Sequence, residues 1–409
     1  AAPAESYLKV DAVLAAAKAT GAAAIHPGYG FLSENADFAQ SVTEAGLIWV
    51  GPSPEAMRSM GDKIAARNRM QAAGVPVAPG TPDPVPDVAA ALVAASEIGY
   101  PVMVKAAAGG GGIGMAAAYN DEELTSAFET ARTRAERFFS SPSILLEKYV
   151  PSARHIEVQI LGLADGTVVA LGERDCSVQR RHQKVAEESP SPAVTPEIRA
   201  AILEAAVKAG QAVDYRNAGT VEMLFDTSTG DAWFLEMNTR LQVEHPVTEA
   251  VTGLDLVAEQ LRIASGEAPS FDPANPPTAN GHAIELRVYA EDPKRFLPGP
   301  GAITEWVEPT GDGVRVDSGY ESGNKVTPFY DPLLAKLIVH GDDRADAISK
   351  ARSAVEEFTI VGPKNNLPFF AELLSNDEFV QGEYDTGLIS RMRSQAYWSR
   401  FAGICSCCL

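Results

Sequence analysis

The sequence predicts a mixed α/β protein with more than one domain. Helix-like runs alternate with short apolar runs between residues 6 and 50, a pattern typical of part of a parallel-sheet domain. Strand-like segments flank a glycine-rich loop in "KAAAGGGGIGM", residues 105–115. From residue 151 onward, pairs of strands alternate with single helices. With 409 residues, the chain is long enough for two or three domains.

The composition is ordinary for a globular protein, with 45% hydrophobic and 22% charged residues. No stretch approaches the roughly 20 apolar residues of a membrane span, and the first residues lack the features of a signal peptide. We therefore expect a cytoplasmic protein that does not enter a membrane. The net charge of −20 disfavours nucleic-acid binding, because nucleic-acid phosphates attract cations. The cysteine-rich tail, residues 396–409, has no metal-site spacing and remains unassigned.

The other segments are predicted from caps, periodicity and turn residues. Residues 51–86 form a helical linker region that begins at a Ser53 cap and ends in the proline-rich stretch "VPVAPGTPDPVPD". Residues 87–150 form a compact α/β unit around the glycine loop. The remaining predictions are a helix at 195–212, a hairpin near 220–236, a helix at 246–266, strand-rich sequence to 340 and a final helical pair.

The glycine-rich loop resembles two phosphate-binding motifs only in its spacing. Met115 and Ala116 follow it where a P-loop needs Lys and Ser or Thr. A dinucleotide-binding loop would start a helix, whereas strand-like residues precede this loop and the short segment after it favours a second strand. We therefore expect a strand–loop–strand hairpin with Lys105 as a cation near free backbone N–H groups. A flexible turn without a ligand remains an open alternative.

The hairpin "GTVEMLFDTSTGDAWFLEMN" predicts a cation site. Reflection about its turn places Glu222 close to Glu236 on the neighbouring strand, and the two-residue period puts Asn238 on the same face as Glu236. Like charges that face each other in a sheet are destabilising unless a cation lies between them. Two carboxylates and an amide offer hard oxygen ligands, which suit Mg²⁺ or Mn²⁺. A solvated outer face of the sheet is the alternative.

Polar residues continue beyond this hairpin at Arg240, Gln242 and Glu244. An extended strand would spread the five polar residues from 236 to 244 over about 26 Å, so we expect the chain to bend near Arg240. The bent segment could then surround a small anion such as bicarbonate, with arginine as a planar fork and Glu244 as a proton acceptor. A simple Arg240–Glu244 ion pair is the alternative. His245-Pro246 is expected to start a helix.

Two further segments carry residues suited to anion binding. "PSARHIEVQI" places His155 at the start of a strand. "RDCSVQRRHQKVAEESPSP" presents Gln179, His182 and Lys184, which we expect to share one loop. A basic cluster in so acidic a chain predicts an anion site. A core or solvated role for His182 is equally compatible with the sequence.

Together these residues resemble the biotin carboxylase family, which has an ATP-grasp fold. The matching motifs are "HPGYGFLSEN" (26–35), "MGDK" (60–63), "VKAAAGGGGIGM" (104–115), "EKY" (147–149), "RHIEVQ" (154–159), "ERDCSVQRRHQK" (173–184), "EMNTRLQVEHPVTE" (236–249), and "AEDP" with "FLPGPG" (290–301). The resemblance extends from residue 5 to about 390. It implies a partial, Rossmann-like N-terminal domain at 1–50, a mobile lid subdomain at 87–150, and a central ATP-grasp part with a C-terminal mixed-sheet domain at 151–395.

By this resemblance, the chain carboxylates biotin on a carrier protein with ATP and bicarbonate, through carboxyphosphate. The implied nucleotide-binding residues are Lys63, Lys105, Gly110, Gly111, Gly112, Glu147, Lys148, Val150, His155, Gln179 and His182. The implied metal ligands for Mg²⁺ or Mn²⁺ are Glu222, Glu236 and Asn238. The implied bicarbonate-binding residues are Arg240, Gln242 and Val243, with Glu244 as the base, Lys184 supporting the anionic intermediate and Arg315 stabilising the biotin enolate.

The resemblance also implies partners: a biotin carboxyl carrier domain or protein, a carboxyltransferase component of an acetyl-CoA or propionyl-CoA carboxylase, and a second copy in a homodimer. No "AMKM"-type biotinyl-lysine segment is present, so we expect a separate carrier. The family's opening strand–helix–strand is also missing, which predicts a truncated N-terminal domain with an open sheet edge. Ile113 and Ala116 replace basic residues of the family. The alternatives are the front part of a pyruvate carboxylase and a non-catalytic ATP-binding assembly subunit.

Overall fold

A computed structural model describes residues 2–106, 115–139 and 142–394, so the predicted ligands Gly110, Gly111 and Gly112 and the tail lie outside the described residues. After a short 3-10 turn, the N-terminal part contains α1 (Val10–Thr20), β1 (Ala24–Ile25), α2 (Ala36–Glu44), β2 (Ile48–Trp49), α3 (Pro54–Gly61) and α4 (Lys63–Ala72). β1 and β2 pair in parallel, as the alternating pattern predicts. The Ser53 hydroxyl accepts a hydrogen bond from the backbone of Ala56, so the predicted cap is confirmed.

The next part is a three-stranded sheet covered by two helices. Its elements are α5 (Val88–Ile98), β3 (Val102–Ala106), β4 (Ala116–Ala118), α6 (Asp121–Phe139) and β5 (Ile144–Lys148). β3 lies between the other two strands, and both pairs are antiparallel. The prediction that strands flank the glycine loop on both sides is therefore confirmed.

The proline-rich stretch before this sheet is not a free linker. The backbone N–H groups of Thr81 and Val85 donate to carbonyls of β5, each at 2.8 Å, and the Pro79 carbonyl accepts from Lys148 at 2.7 Å. Backbone groups of an edge strand need partners, and this stretch supplies them. The predicted linker thus binds the β5 edge of the three-stranded sheet.

The central part contains β6 (Ala153–Gly162), β7 (Val168–Arg180), β8 (Gln183–Ser189), α7 (Pro196–Gln211), β9 (Asn217–Asp226), β10 (Ala232–Asn238), α8 (His245–Thr252), α9 (Leu256–Ser265) and β11 (His282–Tyr289). The predicted helix at 195–212 and the hairpin near 220–236 are confirmed as α7 and the β9–β10 pair. The prediction of one helix at 246–266 is wrong. Gly253, with a φ of +73°, ends α8 before α9 begins, because glycine adopts this left-handed conformation without strain.

The C-terminal part contains β12 (Gly301–Ala302), β13 (Glu305–Val307), β14 (Val314–Ser318), β15 (Lys325–Val326), β16 (Leu333–Gly341), α10 (Arg344–Glu357), β17 (Thr359–Val361), α11 (Leu367–Leu373) and α12 (Asp377–Gln381). The described residues after β16 therefore contain α10, α11, α12 and a further helical stretch at 388–394, where the sequence predicts a pair of helices. Among the described residues, no helix is both long and apolar enough to span a membrane.

One eight-stranded sheet joins the central and C-terminal parts, in the order β10-β9-β6-β7-β8-β11-β16-β14. Every neighbouring pair in it is antiparallel. The C-terminal mixed sheet that we predicted is therefore, in its main strands, a continuation of the central sheet across the β8–β11 pair. Glu188 of β8 strengthens this junction, because its buried carboxylate accepts from His282 of β11 at 2.6 Å and from Arg344 of α10 at 2.7 Å.

Alternation along β11 separates the core from the charged side of the sheet. Ile284, Leu286 and Val288 pack in the apolar core with helix α10. Glu285 and Arg287 point to the opposite face, where α8 lies. The fold therefore directs charged side chains of β11 toward the residues that follow β10.

Candidate active site

A lysine surrounded by carboxylates lies at the centre of this charged face. Lys184 Nζ donates to Glu157 Oε2 at 2.5 Å, to Glu222 Oε1 at 2.9 Å and to Glu244 Oε1 at 2.6 Å. Burial alone would lower the pKa of Lys184, but the three carboxylates outweigh burial and raise its pKa well above the usual range. Lys184 is therefore a fixed cation at neutral pH.

The strand pair that carries Lys184 differs from the predicted loop. β7 and β8 form a hairpin whose two-residue turn is Arg181-His182, both with positive φ. Gln179 and Lys184 face each other on the two strands, and only His182 lies in the turn. The prediction that these three residues share one loop is therefore wrong, although the hairpin keeps them together.

Glu222 and Glu236 are cross-strand neighbours on β9 and β10, as the reflection about the turn predicts. Asn238 Nδ2 donates to Glu222 Oε1 at 2.8 Å. Glu222 is buried, whereas the Glu236 side chain is 42% exposed and its Oε2 lies 3.2 Å from Lys63 Nζ. These oxygen donors fit Mg²⁺ or Mn²⁺.

His155 also contacts Glu222. Its Nε2 lies 2.9 Å from Glu222 Oε2, and its Nδ1 lies 2.8 Å from Gln179 Nε2. Burial would lower the pKa of His155, but the Glu222 carboxylate raises it overall. Ligand atoms of His155, Glu157 and Glu222 lie within 4.8 Å of one another, so a cation in this region has an additional buried carboxylate close by.

The chain leaves β10 at Asn238 and bends, as predicted. Arg240 Nε donates to Glu34 Oε2 at 3.0 Å, and Arg240 Nη2 donates to Asn238 Oδ1 at 2.8 Å. Glu244 instead pairs with Lys184 and with Arg287, whose Nη2 donates to Glu244 Oε2 at 2.9 Å. The alternative of a simple Arg240–Glu244 ion pair is therefore wrong.

Glu244 lies at the N-terminus of α8, the helix that we expected after the bend. Its side chain is 2% exposed, and burial by itself would raise its pKa. Lys184 and Arg287 more than reverse this effect and lower the pKa of Glu244 well below its usual range. The carboxylate is ionised at neutral pH, which is the state that a proton acceptor needs.

Arg287 of β11 is a site residue that the sequence analysis missed. Its Nη2 contacts Glu187 Oε1 at 2.5 Å and Glu244 Oε2 at 2.9 Å. Arg315, the arginine that we predicted, instead binds Glu249 and Asp317, each at 2.7 Å, and is half exposed. Among the contacts of the described residues, Arg287 rather than Arg315 touches the predicted base.

The sequence analysis also missed four other charged residues of the site, which are Glu157, Arg174, Lys336 and Glu34. Lys336 Nζ donates to the carbonyl of Val243 at 3.0 Å, and the Glu34 carboxylate binds the Thr239 N–H and Arg240. The signal for the strand residues was a charge inside an apolar strand, as in "AIELRVY" and "LLAKLIVH". Nothing in the sequence indicates that these strands approach residues 236–244.

The predicted nucleotide-binding residues fall into two groups. Lys63 lies beside Glu236, His155 lies beside Glu222, and Gln179 contacts His155. Lys105 and Glu147 lie in the three-stranded sheet, where they form a partly buried ion pair across β3 and β5. Lys148 Nζ donates to the carbonyls of Gly99 and Tyr100. Val150 follows β5 and is buried. His182 lies in the β7–β8 hairpin turn, with a φ of +67°.

Known protein families match most of this chain. Residues 1–57 match the biotin carboxylase N-terminal domain, residues 62–270 the ATP-binding domain of the carbamoyl-phosphate synthase L chain, and residues 285–391 the biotin carboxylase C-terminal domain. A biotin carboxylase of Halalkalibacterium halodurans is 53% identical over 387 residues, which cover 95% of this chain and 85% of the relative. The chain belongs to the biotin carboxylase family.

Two other relatives are comparably similar. A pyruvate carboxylase subunit of Methanothermobacter thermautotrophicus is 48% identical over 96% of this chain and 79% of its own length. The biotin carboxylase domain dimer of Hydrogenobacter thermophilus 2-oxoglutarate carboxylase, solved with MgADP, ADP and bicarbonate, is 43% identical with a TM-score of 0.87, over 94% of this chain and 85% of that one. The biotin carboxylase family, the ATP-grasp fold and the ligase class are thus confirmed.

Proposed function

We propose that this chain carboxylates biotin on a carrier protein, with ATP and bicarbonate as co-substrates and carboxyphosphate as the intermediate. The observation that carries this proposal is the buried contact of Lys184 with Glu157, Glu222 and Glu244. A fixed cation next to an ionised, buried carboxylate can hold an anionic intermediate beside a proton acceptor.

Arg240, Gln242 and Val243 bind bicarbonate in this proposal, and Glu244 takes its proton. The resulting carbonate oxygen attacks the γ-phosphorus of ATP, the bond from that phosphorus to ADP breaks, and carboxyphosphate forms. Lys184 stays close to the developing anion because its ammonium contacts the same Glu244 carboxylate. The Val243 carbonyl is held by Lys336, which fixes the backbone of this loop.

Arg287 takes the role that the resemblance implied for Arg315, stabilisation of the negative oxygen on deprotonated biotin. Arg287 is buried and contacts Glu244, so an anion next to the base would also lie next to this guanidinium. The Arg315 guanidinium instead contacts Glu249 and Asp317 and is half exposed, so it does not lie against the proposed base.

Glu222, Glu236 and Asn238 would hold Mg²⁺ or Mn²⁺, whose charge would neutralise the phosphate oxygens of ATP. Lys63 and Lys105 bind phosphates, with Gly110, Gly111 and Gly112 in the lid. The nucleotide is further lined by Glu147, Lys148, Val150, His155, Gln179 and His182.

A direct test is ATP hydrolysis by the purified chain, measured with and without bicarbonate and with and without free biotin. We expect hydrolysis to require bicarbonate and to rise with biotin, with [¹⁴C]bicarbonate label in carboxybiotin. Binding of MgATP without bicarbonate-dependent hydrolysis would refute the proposal and favour the alternative of a non-catalytic assembly protein, which the departures at Ile113 and Ala116 suggest.

The proposed partners are a biotin carboxyl carrier, a carboxyltransferase and a second copy of the chain in a homodimer. We propose an acyl-CoA carboxylase, with acetyl-CoA or propionyl-CoA as the acceptor and the cytoplasm as the location. Relatives named for pyruvate and 2-oxoglutarate keep the pyruvate carboxylase alternative open. Carboxyl transfer from the loaded carrier to each acceptor, with the cognate carboxyltransferase, distinguishes these possibilities.

A further inference from the structure

Arg174 lies in β7 beneath the proposed bicarbonate loop, and its side chain is fully buried. An arginine side chain has five N–H donors, and here each has one acceptor. The five contacts are Nε to Glu157 Oε1 at 2.5 Å, Nη1 to Gln159 Oε1 at 2.8 Å and Thr248 Oγ1 at 3.0 Å, and Nη2 to Thr220 Oγ1 at 3.2 Å and Gln242 Oε1 at 3.1 Å.

The first consequence concerns the proposed bicarbonate ligand Gln242. Its Oε1 accepts from Arg174, which leaves its Nε2 to donate to Glu222 Oε1 at 2.9 Å. If the amide rotated by half a turn, its oxygen would face the Glu222 carboxylate and its N–H₂ group would face a guanidinium. Both contacts would be repulsive, so Arg174 allows one amide orientation.

The second consequence concerns Glu157 and, through it, Lys184. One carboxylate oxygen of Glu157 binds Arg174, and the other binds Lys184 at 2.5 Å. Thr248 lies one helical turn after Glu244 in α8, so its contact with Arg174 also ties the helix of the proposed base to β7. One guanidinium therefore connects the proposed anion ligand, the proposed intermediate-binding cation and the base.

We propose that Arg174 is a positioning residue for bicarbonate use, which sets the Gln242 amide and the Glu157–Lys184 pair without touching a substrate. The proposal rests on the proposed function of this loop. The rigid planar fork of arginine is required, because the bonds to Glu157 and Gln242 leave from two different nitrogens of one plane, Nε and Nη2.

The test is Arg174→Lys, which keeps the positive charge but replaces the fork with a single nitrogen. The matched control is Arg154→Lys. Arg154 is also a buried strand arginine, but it binds Asp175 at 2.9 Å and the Gly382 carbonyl, and its guanidinium stacks on Tyr384. Bicarbonate-dependent ATP cleavage is measured for the parent and both variants, with melting temperatures recorded in parallel.

We expect Arg174→Lys to raise the KM for bicarbonate at least about tenfold, the range expected for a lost charged hydrogen bond, and to change the KM for ATP less than about twofold. Arg154→Lys should lower the melting temperature but leave both KM values within about twofold. An unchanged KM for bicarbonate in Arg174→Lys, or an equal rise in the KM for ATP, would overturn the positioning role.

A second variant covers the possibility that Arg174→Lys does not fold. Thr220→Val is nearly isosteric and removes one acceptor of Nη2, the nitrogen that also holds Gln242. We expect a rise of about threefold in the KM for bicarbonate alone, and no rise would count against the proposal. The parent is measured first. An inactive parent would overturn the proposed function, whereas an active parent with unaltered variants would overturn only the role of Arg174.

Discussion

Replacement of the proposed base, Glu244→Gln, is the sharpest test of the site. The substitution keeps the shape of the side chain but removes the ability to accept a proton. General-base catalysis contributes typically about 10²- to 10⁴-fold to a rate, so we expect bicarbonate-dependent ATP cleavage to fall at least about 10²-fold. The affinity for MgATP should change little, because Glu244 contacts Lys184 and Arg287 rather than the predicted nucleotide ligands.

The same substitution also has a predictable cost in stability. Glu244 accepts two charge-assisted hydrogen bonds, at 2.6 Å from Lys184 and at 2.9 Å from Arg287. A glutamine can accept only one of them with its oxygen, and its amide N–H₂ group would face the other cation. Since a hydrogen bond to a charged group contributes about 1.5–3 kcal/mol, we expect the free energy of unfolding to fall by about 2–3 kcal/mol.

The matched control is Glu173→Gln. Glu173 is a buried carboxylate on β7 that pairs with Arg199 at 2.7 Å, outside the Lys184 cluster. The assay compares initial rates of ADP release at saturating MgATP for the parent and both variants, with nucleotide binding measured by calorimetry. Glu173→Gln should lose stability but keep its rate. If Glu244→Gln retained most of the parent rate, the base would lie elsewhere and the reasoning from its two cations would fail.

Three other predictions follow from the same contacts. Glu236→Gln should raise the Mg²⁺ concentration needed for half-maximal activity, because one of two anionic ligands opposite each other on β9 and β10 is lost; a titration that matches the parent would contradict the metal site. Arg287→Lys should slow biotin-dependent turnover at least about tenfold, while Arg315→Lys should change it less than about threefold, and the reverse order would restore the original prediction. Glu188→Gln should destabilise the chain at pH 7. Burial would raise the pKa of Glu188, but its bonds to histidine and arginine lower it to about 2 from 4.5, which corresponds to about 3 kcal/mol. Because the folded pKa is below the unfolded one, this stability is present above about pH 4.5 and is lost as the pH falls toward 2, so urea unfolding of parent and variant should converge at acidic pH.

Sequence reasoning succeeded where the relevant contact is local. Counting from the turn between β9 and β10 brings Glu222 close to Glu236, and a register shift between Phe234 and Glu236 makes them direct cross-strand partners. The bend before Arg240 follows from the length of an extended strand. The same local reasoning could have found the break at Gly253, since glycine commonly ends a helix.

The missed residues depend on contacts between distant segments. Arg287 reaches Glu244 because β11 pairs with β8, and Lys336 reaches Val243 because β16 pairs with β11. Neither pairing has a signal in a single sequence, since period-2 alternation shows which face a residue occupies but not which strand lies beside it. The motif around Arg315 does not show which groups hold its side chain, and only the fold shows that Glu249 and Asp317 do.

The pairing of β8 with β11 has a consequence for how the enzyme can be divided. The family matches leave a gap between residues 270 and 285, which suggests two separable modules. The proposed catalytic residues lie on both sides of this gap, because Glu244 belongs to the first module and its partner Arg287 to the second. A protein cut in this gap would keep most of the proposed nucleotide ligands, but it would expose the edge of β8 with its buried Glu187 and Glu188. The first module alone could therefore bind a nucleotide, whereas carboxylation requires both modules joined in one sheet.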